Sequence, residues 1–273
     1  MSKSTAIKIL GYPDIHFPDH DPRALACAEA AMRYFKPDVT VIGGDLITCE
    51  MFSTFTPSVE VQGRLGEWDD TEIEPAKEFL DRVQYHTNGK VIYLEGNHEH
   101  RVLRKCLGDT TLRSAGAKLL PKYQLSQGRE NFQWVPWARD PYARKPEITK
   151  HCSYFVAPDL IAVHGWNYST YAAEKHLAKA KTVSVIYHHC HRHQEASTRL
   201  PFGYRSTEHI KAMCPGCLCK LEPGYKVGGE PNDWTHGFWI AFKSATNPRD
   251  HTVYHVPIDR GRAIMPDGKE IKA

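Results

Sequence analysis

The chain has 273 residues, of which 41% are hydrophobic, and this length and composition permit a substantial buried core. The formal net charge of +3 is too small to indicate nucleic-acid binding by itself. No segment approaches the roughly 18 apolar residues of a membrane span, and the first residues lack the apolar core of a signal peptide, so we expect a cytoplasmic protein with no membrane partner.

Short apolar runs predict β-strands at residues 7–10, 39–42, 91–94, 160–163 and 183–187. Between the first three runs, apolar residues recur at helical spacing after Pro22 and after Pro75. This alternation of strands and helices predicts an α/β fold with a parallel sheet. Beyond about Phe132 the strands come closer together, which predicts a second sheet packed on the first. We expect a single domain over 1–273, with a motif-bearing core in 1–193 and strands from 194–273 completing the second sheet.

Each of the five apolar runs is followed within a few positions by residues of types that commonly bind metals. The candidate residues are Asp14, His16, Asp45, Asn97, His98, His164, His189 and His191. Strands that share a direction place such residues at one rim of a sheet, where open α/β folds bind ligands. Carboxylate, imidazole and amide ligands without thiolate suit manganese, the metal we favour, or iron, zinc and nickel. About seven ligands exceed the four of a tetrahedral ion, so we expect two divalent ions that share a carboxylate.

The order of these blocks resembles the calcineurin-like metallophosphoesterase superfamily over roughly residues 7–193. The blocks read Asp-x-His, Gly-Asp, Gly-Asn-His-Glu, His and His-x-His. The phrases that begin at Asp14, Gly96, Pro215 and Trp234 are similar to phosphoesterases of phages and prophages. The resemblance implies a four-layer α-β-β-α sandwich with a dinuclear metal site at one sheet rim. A phage-encoded enzyme would act in the host cytoplasm.

The resemblance also assigns a role to each candidate residue. It implies that one ion is held by Asp14, His16 and His191, and the other by Asn97, His164 and His189. Asp45 would bridge the two ions. The resemblance implies that His98 is the general acid or an electrostatic stabiliser of the leaving group, and to Asn97 and His98 we add Arg101 as a catalytic residue from its position in the chain. Arg101 follows within one helical turn, close enough to bind a phosphate through two hydrogen bonds.

The chain departs from the family pattern in two places. The acid that often follows the bridging aspartate by three residues is replaced by Thr48, and the nearest acid is Glu50. The glycine usual before the last histidine pair is replaced by His188. This second change leaves a competing register open, in which His191 and His193 would be the ligands.

Several of these residues also have ordinary interpretations. Asp45 follows two glycines and could be a plain turn residue. The acidic residues of 50–74 could form a solvated loop or overhang the metals. The aromatic and basic residues of 134–150, including Trp137, could stack bases and hold phosphates or simply pack. Histidine is abundant, and we expect ordinary roles for His20, His86, His151, His176, His251 and His255.

Eight cysteines in a cytosolic chain are expected to be reduced thiols. Cys214, Cys217 and Cys219 form a cluster that could bind a structural zinc if a distant cysteine or His209 completed the ligands. The alternative is that these cysteines are simply buried.

Three functions fit these residues. We favour a phosphodiesterase or nuclease that uses a two-metal-activated water and acts on a phosphoester substrate such as DNA or a nucleotide. The alternative is a phosphomonoesterase like the serine/threonine protein phosphatases, whose second block continues with Asp-Arg-Gly, absent after Asp45. An inactive scaffold fits least well, because all seven ligands and His98 are present. The residues leave the oligomeric state open.

Overall fold

Two large β-sheets, one two-stranded sheet and six α-helices lie in the part of the chain that the computed structural model describes, which is residues 6–53, 67–145, 147–200, 209–222 and 232–273. The strands are β1 (Ile7–Tyr12), β2 (Val39–Ile42), β3 (Lys90–Leu94), β4 (Phe132–Val135), β5 (Tyr154–Ala157), β6 (Leu160–Val163), β7 (Ser184–Tyr187), β8 (His193–Arg199), β9 (His209–Pro215), β10 (Gly237–Lys243), β11 (His251–Pro257), β12 (Arg262–Ile264) and β13 (Glu270–Lys272). The helices are α1 (Pro22–Phe35), α2 (Glu74–His86), α3 (Asn97–Gly108), α4 (Thr110–Leu119), α5 (Pro121–Ser126) and α6 (Ala172–Ala180). Single helical turns lie at Glu50–Phe52 and Asp69–Ile73, and β12 and β13 form a separate hairpin.

The first sheet has the strand order β11-β10-β1-β2-β3-β4, with β1 to β4 parallel. Helix α1 begins where the Asp21 carboxylate accepts hydrogen bonds from the N–H groups of Arg23 and Ala24, and Pro22 suits its first turn. Its apolar face, including Leu25 and Met32, is buried against the sheet together with the apolar face of α2. The helices predicted after Pro22 and Pro75 are therefore confirmed.

The second sheet has the order β5-β6-β7-β9-β8, and β6, β7 and β9 are parallel. Helix α6, which was not predicted from the sequence, covers its outer face. The two sheets pack face to face through one apolar cluster, with Ile9, Val41 and Ile92 on one side and Ala162, Ile186 and Met213 on the other. This arrangement confirms the α-β-β-α sandwich. Among the described residues no helix is long and apolar enough to cross a bilayer.

The C-terminal strands do not all complete the second sheet. Strands β8 and β9 do so, whereas β10 pairs antiparallel with β1 and β11 pairs with β10, so both extend the first sheet. Trp239 of β10 lies opposite Gly11 of β1, and a Cβ on Gly11 would lie 1.9 Å from the indole. The prediction was wrong for β10 and β11 because a strand buried on both faces has an apolar pattern that does not reveal its sheet.

Candidate metal centre

All seven predicted metal ligands follow the carboxyl ends of strands at one rim of the sandwich. Asp14 and His16 follow β1, Asp45 follows β2, and Asn97 begins α3 just after β3. The remaining three follow two strands of the second sheet, His164 after β6 and His189 and His191 after β7. Because the strands within each set are parallel, these strand ends converge.

Asp14, His16 and His191 form the first cluster. The two imidazole Nε2 atoms lie 3.2 Å apart, and His191 Nε2 lies 3.4 Å from Asp14 Oδ1. All three residues are buried, and one donor atom from each lies within 4.8 Å of the others. This spacing and donor set could hold one divalent ion.

Asp45, His164 and His189 form the second cluster, again with donor atoms within 4.8 Å of one another. His164 Nε2 lies 3.2 Å from Asp45 Oδ2 and 3.0 Å from Asn97 Oδ1. Asp45 Oδ2 also lies 3.8 Å from His16 Nε2 in the first cluster. The Asp45 carboxylate therefore stands between the two clusters, where a bridging ligand would have to be.

Burial and the neighbouring carboxylates shift the pKa values of these histidines in opposite directions. Burial lowers the pKa of His16 to about 4 and that of His189 to about 3, which leaves each imidazole neutral and able to bind a metal. Burial also lowers the pKa of His164, but the Asp45 charge outweighs it and raises that pKa to about 9. At these clusters a divalent cation would replace protons as the counter-charge of the carboxylates.

Four of these residues have backbone conformations that side chains rarely adopt. The φ angles are 58° at His16, 47° at Asp45, 78° at His189 and 59° at His191. Left-handed conformations of non-glycine residues cost roughly 1–2 kcal/mol each and cluster at functional sites. Their concentration on the rim is a second indication, independent of side-chain chemistry, that function selects these residues.

Glu99 anchors the loop that carries Asp45, a role that was not predicted from the sequence. Its buried carboxylate accepts hydrogen bonds from the N–H groups of Asp45 at 3.1 Å and Leu46 at 2.9 Å. It also accepts from Gly96 N–H at 2.9 Å and from the Tyr93 hydroxyl at 2.7 Å. The available signal was a glutamate in the third position of a helix, where it can turn back to the first amides.

The His98 ring reaches the edge of the second cluster. Its Nδ1 donates to the Thr48 carbonyl at 2.5 Å, and its Nε2 lies 3.8 Å from Asp45 Oδ2. Because a carbonyl can only accept, Nδ1 carries a proton, and Nε2 has one only when the ring is cationic. Burial, assisted by the Arg101 charge, lowers the pKa of His98 to about 4 against the opposing effect of Asp45. An acid role for His98 therefore requires bound phosphate to raise this pKa.

Arg101 and Trp137 differ in how well they match their predicted roles. Arg101 lies in the first turns of α3, partly buried, and its charge acts on His98. Trp137, predicted as a candidate for base stacking, is only 7% exposed. Its indole N–H donates to the Gly165 carbonyl at 3.3 Å, and its ring packs against His100. That hypothesis was wrong for Trp137, because the indole is part of the interior.

The last histidine block separates into side chains on and off the rim. His189 and His191 reach the clusters, whereas His193 is exposed and stacks on His255 with ring centroids 3.8 Å apart. His188 points into the sandwich, where Nδ1 donates to the Val163 carbonyl and Nε2 accepts from the Trp239 indole. Its side chain fills space beside Gly43 instead of crowding the rim.

The structure describes only part of the segment that follows the Gly-Asp block at Asp45. Thr48 links two candidate residues, because its hydroxyl donates to the His16 carbonyl at 3.2 Å and its own carbonyl accepts from His98. Glu72 accepts hydrogen bonds from the N–H groups of Cys49 and Glu50. Most of the acidic segment 50–74, for which a solvated loop and a loop over the metals were both left open, lies outside the described residues, because 54–66 are not described.

The three cysteines of the predicted zinc cluster do not lie together as one group. Cys217 and Cys219 place their sulfurs beside His191. Cys214 makes a side-chain hydrogen bond with Cys190. His209, the proposed additional ligand, is exposed at the start of β9.

The chain matches one family model and, at low identity, solved structures. The family model described as calcineurin-like phosphoesterase matches residues 7–216. Vacuolar protein sorting 29 from Cryptosporidium parvum is 10% identical, with a TM-score of 0.47, and the match covers 98% of this chain and all of that one. Another solved structure, a crystal structure, is 9% identical, with a TM-score of 0.44, and the match covers 92% of this chain and 99% of that one. A comparison with curated proteins gave no significant match. Because the family model covers well over half of its length, the chain belongs to the calcineurin-like phosphoesterase family.

Proposed function

We propose that this protein is a phosphodiesterase that uses two divalent metal ions and acts on nucleic acid or a nucleotide. The observation that carries the proposal is the position of Asp45 between two clusters of metal-binding donors. Asp14, His16 and His191 would hold one ion, and Asn97, His164 and His189 the other. The oxygen and nitrogen donors suit manganese, our first choice, and also iron, zinc or nickel.

Two bound ions would supply a hydroxide near neutral pH and neutralise charge on the attacked phosphate. The chain's own residues would do the rest. Glu99 holds the Asp45 loop in place, and Arg101 adds positive charge near His98. Once the phosphate raises the pKa of His98, its Nε2 would donate a proton to the leaving oxygen.

Two features favour a diester over a monoester. A monoester dianion rewards extra positive charge around its free oxygens, and the one basic side chain that we assign to the site is Arg101, whose charge acts on His98. Tyr168 follows the strand that carries His164, is 75% exposed, and has its ring centroid 6.2 Å from that of His189. An exposed aromatic ring at the edge of the metal centre offers a surface on which a nucleobase can stack.

The test is an activity panel with manganese that compares bis-nitrophenyl phosphate, nitrophenyl phosphate, single- and double-stranded DNA, RNA and phosphopeptides. We expect the diesters to have the higher kcat/KM. If simple monoesters or phosphopeptides are better by tenfold, about 1.4 kcal/mol, the protein is a phosphomonoesterase instead.

The Tyr168 contribution is tested with Tyr168→Ala, Tyr168→Phe and the control Tyr171→Ala, whose side chain is 65% exposed. Only Tyr168→Ala should raise KM for a thymidine nitrophenyl diester while leaving the KM for methyl nitrophenyl phosphate unchanged. Equal effects on both substrates would remove base stacking from the proposal.

We also propose that the chain belongs to the phage-type branch of the family, because the phrases that begin at Pro215 and Trp234 are similar to phosphoesterases of phages.

A further inference from the structure

Two thiols lie beside the metal centre. They face the Nδ1 edge of the His191 ring, which points away from Asp14 and His16. Cys219 Sγ is 3.8 Å from His191 Nδ1, whereas His191 Nε2 faces Asp14 and His16. Cys217 Sγ belongs to the same group, and the three donor atoms lie within 4.8 Å of one another. All three residues are buried, and both cysteines are free.

We propose that Cys217, Cys219 and His191 Nδ1 form a separate site for a thiophilic divalent cation such as Zn²⁺ or Cd²⁺. Thiolate ligands select soft ions over manganese, whereas the oxygen-rich clusters on the rim do not. Three protein ligands leave one tetrahedral position open, as in many zinc sites that are not purely structural. Two thiolate ligands balance the charge of one divalent cation, so the site carries no excess charge once filled.

The backbone holds the three donors in place. Leu218 N–H, between the two cysteines, donates to the Asp14 carbonyl at 2.8 Å, and Cys217 N–H donates to the Thr235 carbonyl at 2.9 Å. His236 Nε2 donates a hydrogen bond to the Cys219 carbonyl at 2.9 Å. The cysteine turn is thus tied to the same strand end that carries Asp14, and little rearrangement is needed to bind an ion.

Because His191 belongs to both sites, the two sites should compete. A neutral imidazole that binds a soft ion through Nδ1 keeps its proton on Nε2, and that nitrogen is then lost to the ion held by Asp14 and His16. Soft cations would therefore inhibit the enzyme by a route other than exchange at the rim. This inhibition rests on the proposed function, whereas the binding itself does not.

Binding is tested by titrating the manganese-free protein with Cd²⁺ and following thiolate-to-cadmium charge-transfer absorption. The wild type should show one equivalent of this absorption, and Cys217→Ser and Cys219→Ser should each lose most of it. Cys214→Ser is the matched control, because Cys214 is also buried but its side chain forms a hydrogen bond with Cys190. If the absorption is absent, or is lost only in Cys214→Ser, the proposed site does not exist.

A measurement without variants guards against misfolding. X-ray absorption of the wild type with one equivalent of bound Cd²⁺ should show two sulfur neighbours and at least one nitrogen. A first shell of oxygen and nitrogen alone would overturn the proposal.

Competition is tested by preloading the protein with Mn²⁺. The apparent Cd²⁺ affinity at the thiol site should fall at least tenfold, and Cys217→Ser should make turnover correspondingly less sensitive to Cd²⁺. An unchanged Cd²⁺ affinity would show that His191 is not shared. Inactivity of the protein towards all phosphoesters would refute the proposed function while leaving the spectroscopic result intact.

Discussion

Glu99 Oε2 accepts a hydrogen bond from the N–H of Asp45 at 3.1 Å. The same carboxylate binds the next N–H along the chain, that of Leu46, at 2.9 Å. Asp45 has a left-handed backbone, with φ of 47°, and such a conformation persists only where surrounding contacts enforce it. Glu99 therefore connects the start of α3 to the carboxylate that stands between the two donor clusters.

Glu99→Gln should weaken metal binding without removing any proposed ligand. The amide has one accepting oxygen, so at least one backbone N–H loses its acceptor, at about 1–3 kcal/mol for each buried group. We expect a lower free energy of unfolding and weaker binding of both ions, measured by denaturant unfolding and metal titration. Tyr93→Phe is the control, because it removes only the hydroxyl that donates to Glu99. Wild-type metal affinity in Glu99→Gln would show that this anchor is not needed.

His98→Asn should separate catalysis from metal binding. The metal content should stay at the wild-type level while kcat falls roughly 10²- to 10⁴-fold, the range for a positioned proton donor. The loss should be smaller for a substrate with an activated leaving group, which needs little protonation.

The pH dependence of the same variant supplies its control. Because Nε2 of His98 has a proton only in the cationic ring, wild-type kcat should fall with rising pH on the alkaline side, and this limb should be absent in His98→Asn. Loss of one metal ion in the variant would instead make His98 a ligand, as its grouping with His16 and Asp45 permits.

The register of the last histidine block is tested by three alanine variants. His189→Ala and His191→Ala should each weaken metal binding, because their rings lie in the two clusters. His193→Ala should bind metals as the parent does, because its ring stacks on His255 away from the rim. Isothermal titration with Mn²⁺ distinguishes the three, and weakened binding only in His191→Ala and His193→Ala would move the block by two residues.

The convergence of the seven candidate ligands could be predicted from the sequence because they follow apolar strand runs, and parallel strands bring such positions to one rim. The supporting contacts were not predictable. His188 replaces the glycine usual at its position, and only the structure shows that Gly43 leaves space for its ring and that the Trp239 indole donates to it. Strand β10 joins the first sheet beside β1, where Trp239 lies opposite Gly11. These two residues are far apart in the sequence, so their contact could not be predicted from it.

His176 should make the fold sensitive to acid. It is buried between Trp166 and Tyr187, with ring centroids 3.9 and 3.8 Å away, and burial lowers its pKa from 6.5 to about 4. Between these values the unfolded chain binds a proton that the folded protein does not, so stability falls as pH falls from about 6.5 to about 4.

His176→Phe keeps an aromatic ring but cannot bind a proton. Between pH 7 and pH 4, the free energy of unfolding should fall by up to about 3 kcal/mol less in the variant than in the wild type. Denaturant unfolding with a chelator present measures this difference. Parallel pH curves for the two proteins would show that His176 does not contribute.

The central claim is that two ions share Asp45, and metal analysis combined with activity tests it most directly. The metal-depleted protein should recover full turnover only after two equivalents of Mn²⁺ are bound. Asp45→Asn should weaken both binding steps, because its side chain loses the charge that both clusters use. Full activity with one ion per chain, or an Asp45→Asn variant that loses only one ion, would contradict the account.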